Sequence, residues 1–267
     1  MPVQPLQGPL GRARAGAGPR ASLLLRWFVE GPVLRGVGTL LLCACANGAA
    51  AQVSGTLSAV SDYRYRGVTF SDRNPALQAG IAYDAPPGWY AGLFGSTVRL
   101  APPLSPIAHF QAIAYAGYAI RLPSGVSVEA GGAHSAFSGN RSLDYGEVFL
   151  GAATENASAR IYYSPKYFGQ SSSAVYGEIN GSPQIVDRVR LLLHAGMLQH
   201  RYTSPYGTLY GVEPTSQVFD ARIGVRIDLD LVQLEIAWVG VSNHSAAYLF
   251  TGRNTPNGVV VALSHAF

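Results

Sequence analysis

Gly258-Val-Val-Val-Ala-Leu-Ser-His-Ala-Phe267 is the stretch whose reading decides the fold. It alternates: Val259, Val261, Leu263, His265 and Phe267 share one side, and Gly258, Val260, Ala262, Ser264 and Ala266 the other. Successive strand side chains point to opposite faces, so one face of this ribbon is mostly apolar and the other is built of small residues. A chain that stops on such a ribbon, with an aromatic last residue, reads as the closing strand of a barrel whose greasy face meets lipid.

Working back from Phe267, the pattern predicts about twelve strands of membrane-crossing length, ~9–11 residues. They are expected near 53–63, 76–84, 89–99, 108–121, 126–137, 144–153, 158–167, 173–181, 188–199, 217–228, 231–241 and 258–267. In 76–84, Leu77, Ala79, Ile81 and Tyr83 oppose Gln78, Gly80, Ala82 and Asp84; in 217–228, Phe219, Ala221, Ile223, Val225 and Ile227 oppose Asp220, Arg222 and Arg226. An arginine on the lipid face near the midplane costs ~2–4 kcal/mol, so the charged parity belongs to the lumen. Links after even-numbered segments are short, such as 85–88 and 122–125, and links after odd-numbered ones are mostly longer, such as 64–75 and 200–216. That rhythm predicts an all-β, transmembrane, up-and-down antiparallel β-barrel with periplasmic turns and outer loops. A soluble sandwich or lipocalin-like barrel would alternate too, with the opposite polarity. Sparse charge and strand-end aromatics (Tyr63, Trp89, Tyr90, Tyr118, Tyr167, Trp238) favour the membrane.

The formal charge of +4 resides in the first 51 residues, where Arg12, Arg14, Arg20, Arg26 and Arg35 face only Glu30. Residues 52–267 are neutral, so the basic balance gives no reason to expect a nucleic-acid partner. Residues 1–51 read as a cleaved signal peptide: Arg26 and Arg35 flank the apolar run 37–46, and Ala49-Ala50-Ala51 fits the cleavage site. Both cysteines, Cys43 and Cys45, lie in that leader, so residues 52–267, the barrel domain, offer neither a disulfide nor a thiolate zinc site.

Ser61-Asp-Tyr-Arg-Tyr-Arg-Gly67 with Ser71-Asp72, Pro75 and Gln78-Ala-Gly80, and Gly88-Trp-Tyr-Ala-Gly92 leading to Gly95-Ser96, resemble the TorF-like porins, a proteobacterial outer-membrane group also labelled Gcw_chp. Leu143-Asp-Tyr-Gly-Glu147 and Ile161-Tyr-Tyr-Ser-Pro-Lys-Tyr-Phe-Gly169 resemble the same group's middle region. His265, where many barrel endings carry an aromatic or apolar residue, and the long leader depart from its pattern. The resemblance implies an outer-membrane barrel and a channel role with no stated solute.

Candidate pore-lining or mouth residues are Asp62, Arg64, Arg66, Glu129, Glu147, Arg160, Glu178, Arg188, Arg190, Asp220, Arg222, Arg226 and Glu235, with Lys166 sharing their parity. Charges in a lumen tune ion passage, but they also bridge one another, and burial demands partners. Phe267 is the expected signal to the barrel-assembly machinery. A pore is expected to be narrow, since twelve strands lie between filled eight-stranded and wide sixteen-stranded barrels. Loops 200–216 and 242–257, with Tyr202, Tyr206 and Tyr210, are expected to restrict it. No cofactor is implied. The sequence has no G-x-S-x-G and no H-E-x-x-H element, and among its histidines His109 and His194 have lumen parity. The reading is therefore a passive diffusion channel for small solutes or ions; the alternatives are a non-conducting structural or adhesive barrel that binds a partner through its outer loops, and an outer-membrane hydrolase.

Overall fold

The computed structural model describes residues 52–102, 105–169, 172–202, 215–242 and 255–267. The predicted signal peptide lies outside them, as do Tyr206, Tyr210 and most of the two loops expected to restrict the pore. Twelve long strands follow one another: β1 Gln52–Val60, β2 Ala76–Ala85, β3 Trp89–Leu100, β4 Ala108–Arg121, β5 Ser127–Ser138, β6 Tyr145–Ala153, β7 Ala157–Ser164, β8 Ser172–Gly181, β9 Val189–Tyr202, β10 Thr215–Leu229, β11 Val232–Val241 and β12 Gly258–Ala266. Each pairs antiparallel with its chain neighbour, and β12 closes on β1 in register from Thr56↔Ala266 to Val60↔Ala262. Full closure leaves no unpaired edge, which is what a bilayer demands of a sheet. Phe267 extends the seam, its N–H and C=O each bonding Gly55 at 3.0 and 2.8 Å.

The polarity is the lipid-facing one. Leu77, Leu93, Leu150, Ile179, Ile223 and Val259 lie outside and are all more than half exposed. A soluble protein does not present an apolar belt running all round its wall. Aromatics rim the belt at both ends. Tyr83, Trp89 packed edge-on to Tyr118 (5.0 Å), and Phe267 stand at the short-turn end; Phe110, Tyr163 and Phe219 stand at the long-loop end.

Two strands stop three residues before their predicted ends. β1 stops at Val60, because the chain then turns inward. β7 stops at Ser164, since Pro165 has no N–H for the ladder and Tyr167–Gly169 forms a 3-10 turn with Phe168 at φ 50°. The first long link is not an external loop. It holds a small hairpin, Arg64–Tyr65 against Val68–Thr69, whose two-residue turn Arg66-Gly67 has φ of 50° and 77°. Positive φ at both central positions is the type I′ geometry that suits strand twist. This hairpin folds into the barrel.

Candidate functional site in the barrel lumen

The half of the lumen at the long-loop end is a packed core. Tyr63, Tyr65 and Phe70 from the first loop meet inward residues of the wall, including Phe94, Phe137, Tyr145, Tyr162 and Tyr176, and the Tyr167-Phe168 turn, all essentially buried. Phe70 sits among Tyr65, Tyr63 and Phe168 with ring centroids 5.0, 5.5 and 5.8 Å away. These are the separations at which aromatic pairs gain beyond area burial.

Charged groups inside this core find partners, although Arg66 Nε and Gln111 Nε2 are buried without one. The Asp62 carboxylate accepts from Arg64 Nε (2.5 Å), Thr69 Oγ1 (2.5 Å) and Ser71 Oγ (3.2 Å), so it ties the hairpin's two arms together. Arg64 Nη1 donates to the Pro256 carbonyl at 2.8 Å, reaching the segment before β12. Arg66 Nη2 donates to Glu147 Oε2 of β6 at 2.7 Å. The Arg66 guanidinium also lies over the rings of Tyr176 (4.4 Å), Tyr65 (4.9 Å), Tyr162 (5.0 Å) and Tyr167 (5.3 Å). Burial opposes the Arg66 charge, but Glu147 and the surrounding phenolic oxygens more than offset it, and its pKa is raised. Burial pushes the Tyr167 hydroxyl up to about 12, so the ring remains neutral. Tyr63 donates to Gln111 Oε1 at 2.9 Å, anchoring the loop to β4. At the tip, a Cβ on Gly67 would strike Asp220 and crowd Val241, so the hairpin also touches β10 and β11.

Toward the short-turn end the wall carries three linked clusters. Glu129 accepts from Arg160 Nε (2.9 Å) and from Tyr90 (2.6 Å), while Arg160 reaches Tyr162 (3.0 Å) and Tyr162 reaches Glu178 (3.2 Å). His194 bridges Asn180 (2.8 Å) and Asp220 (2.7 Å). Glu235 accepts from Arg226 Nε at 2.7 Å and lies 3.7 Å from Arg222 Nη1. Inward residues of β12 and β1, such as Val260, Ala262, Ser54 and Ser58, are uncharged and mostly small, and on β2 Gln78, Gly80 and Ala82 lead to one charge, Asp84, at the short-turn end. A small, largely enclosed cavity separates the base of the first loop from the neighbouring wall of β10, β11 and β12, lined by Asp62, Arg64, Arg222, Glu235, Ala237 and Val260.

The structure thus brings Asp62, Arg64, Arg66, Glu129, Glu147, Arg160, Glu178, Asp220, Arg222, Arg226 and Glu235 into the lumen, the first three within the core rather than at an open mouth. Arg188 is instead in an exposed turn, at φ 63°, paired with Asp230 at 3.0 Å. Positive φ there breaks the strand parity that had assigned it inward. Arg190 is half-buried and donates to the Ser182 carbonyl (3.0 Å) at the short-turn end, and Lys166 is exposed on the turn after β7. His109 is exposed, because the β3–β4 register shifts between Thr97 and Leu100. Tyr63 and Tyr167 are lumen residues, not girdle residues, and Tyr90 points inward to Glu129. The tyrosine cage was the feature sequence reasoning missed. Tyr162 and Tyr176 share parity with Arg160 and Glu178, and that was the available signal.

A family model described as "Bacterial protein of unknown function (Gcw_chp)" matches residues 44–267; its description carries neither a TorF-like name nor an activity. No curated protein matches the chain. Similar solved structures include the KdgM porin, at 13% identity over 80% of this chain and 99% of that one with a TM-score of 0.47. The NanC porin is similar at 11% identity, 81% and 99% coverage and a TM-score of 0.49. The outer membrane channel DcaP of Acinetobacter baumannii is similar at 10% identity, 82% and 98% coverage and a TM-score of 0.43. At these identities and TM-scores nothing about substrate or mechanism passes from them to this chain.

Proposed function

The chain belongs to the Gcw_chp family, which has no assigned function, and from its own geometry we propose that it is an outer-membrane porin, a passive route for small solutes or ions. One observation supports this most: an apolar outer belt encloses a lumen whose wall carries ionised side chains. Charge is kept inside a lipid-facing barrel at the cost of desolvation, and ion passage is a use that repays it. The short turns face the periplasm and the long links face outward. The route is narrow, because the first loop occupies the outer half of a twelve-stranded lumen. That same filling favours the second reading, a non-conducting barrel that binds a partner through its outer loops.

Planar-bilayer recording separates the two. The expected result is small, discrete steps for the wild type and larger steps for a barrel whose residues 62–74 are replaced by a short Gly-Ser turn. Silence from both, in samples shown to be folded by heat-modifiable mobility, would leave the non-conducting reading. Reversal potentials in asymmetric salt then give the ion preference.

Phe267 is the proposed signal to the assembly machinery. Deleting it removes two backbone bonds to Gly55 and the ring that covers that glycine. The folded barrel in the outer membrane should fall severalfold, while refolding of the purified variant into detergent changes far less. Equal losses in both would assign Phe267 to the seam alone.

A further inference from the structure

We propose that Glu147, Tyr162, Tyr167 and Tyr176 form a recognition site for a planar guanidinium-type cation, and that Arg66 is its tethered ligand, latching the first loop across the lumen. The inference rests on the porin reading above.

Site and ligand belong to different kinds of structure. Glu147, Tyr162 and Tyr176 project from β6, β7 and β8, whose ladders pair continuously, and Tyr167 comes from the turn that joins β7 to β8. Arg66 sits at the tip of a hairpin held by only two registered pairs. Three of the four receptor groups therefore stand on the wall and the fourth on a turn packed against it, while the ligand is at the end of a link. The chemistry matches a delocalised cation. Tyr162, Tyr167 and Tyr176 offer ring faces to Arg66 at 5.0, 5.3 and 4.4 Å, and Glu147 supplies the counter-charge at 2.7 Å. Aromatic faces attract a desolvated cation, and arginine's flat guanidinium stacks where an ammonium would sit as a point charge. Arg66 itself is 4% exposed, so the site excludes water around its occupant.

The tip reaches further. Gly67 abuts Asp220 and Val241 on β10 and β11, and Asp220 is held from behind by His194 at 2.7 Å. Arg66, reaching β6, β7 and β8, and Gly67, seated against β10 and β11, together make the hairpin a bar across the barrel. Removing the Arg66 side chain takes the counter-ion from Glu147 and opens, between the faces of Tyr162, Tyr167 and Tyr176, a space shaped for free guanidinium.

The test is single-channel recording of the mature chain in four forms: wild type, Arg66→Ala, Glu147→Gln, and the barrel with residues 62–74 replaced by a Gly-Ser turn. Arg66→Ala should conduct severalfold more than wild type. About 10 mM guanidinium chloride, within the millimolar effective concentration of a tethered group, should return it toward the wild-type level, and equal sodium chloride should not. Glu147→Gln should also conduct more, without guanidinium rescue, and it serves as the second variant if Arg66→Ala does not fold. A folded Arg66→Ala with wild-type conductance, or one indifferent to guanidinium, overturns the latch, while larger steps from the loop-replaced barrel would leave the porin reading standing. A folded, silent loop-replaced barrel overturns both.

Discussion

Phe70→Ala should destabilise the folded protein by about 3–5 kcal/mol, the range for truncating a buried phenylalanine in a packed core. The size of this effect is unexpected for a residue in a link between strands. Phe70 is 2% exposed, contacts rings of its own hairpin and of the Tyr167–Gly169 turn, and meets Phe137 of β5 at 6.4 Å. Its backbone is also fixed, with its N–H donating to Tyr63 at 2.7 Å and its carbonyl accepting from Arg99 at 2.6 Å. The cavity left by alanine would lie at the centre of the hairpin's packing, and the rigid barrel wall cannot collapse to fill it. Urea unfolding in detergent micelles gives the stability, and hydrogen exchange of residues 62–71 shows where it is lost. Phe70→Leu should recover most of it. A change below about 1 kcal/mol for alanine would mean that the hairpin does not pack as a core inside the barrel.

How far the sequence reached follows from the same hairpin. Along the wall, parity was enough: Leu77 against Gln78, and Ile223 against Arg222, sort correctly because a ladder forces every second side chain to one face. The closing strand was legible for the same reason, down to Phe267. Parity fails where the ladder stops. In residues 62–71 both Tyr63 and Arg64 are buried, since a hairpin inside a barrel has wall on every side. Nothing in Tyr63-Arg64-Tyr65-Arg66 says whether the link turns outward or inward, and an aromatic at a strand end looks alike as girdle or as plug. Inward folding is instead encoded by partners far away in sequence. Gln111 for Tyr63, Glu147 for Arg66 and Pro256 for Arg64 become neighbours only once the barrel has closed. Arg188 shows the same limit at the other end, where one residue of positive φ after the short Gln184–Val186 pairing resets the alternation.

Ile223→Arg should be the most damaging single change on the outer wall. Ile223 lies at the middle of the fifteen-residue β10, is 54% exposed, and is flanked in register by Leu193 and Trp238. Its chain neighbour Arg222 is a native arginine at the same depth, facing inward to Glu235. The two positions therefore differ in the side of the wall and in little else. If the outer face meets lipid, an arginine at 223 loses its hydration without gaining a partner and costs about 2–4 kcal/mol near the midplane. If the outer face met water, the same substitution on an exposed position would fall within about 0.5 kcal/mol. Folding titrations into phospholipid vesicles measure this difference directly, with Ile223→Leu as the control that keeps the surface apolar. The arginine variant should lose folded fraction in vesicles and keep more of it in detergent micelles, where the chain's charge can find water. An arginine variant that inserted as readily as the leucine one would contradict the lipid-facing polarity, on which the assignment of the charged parity to an enclosed lumen depends.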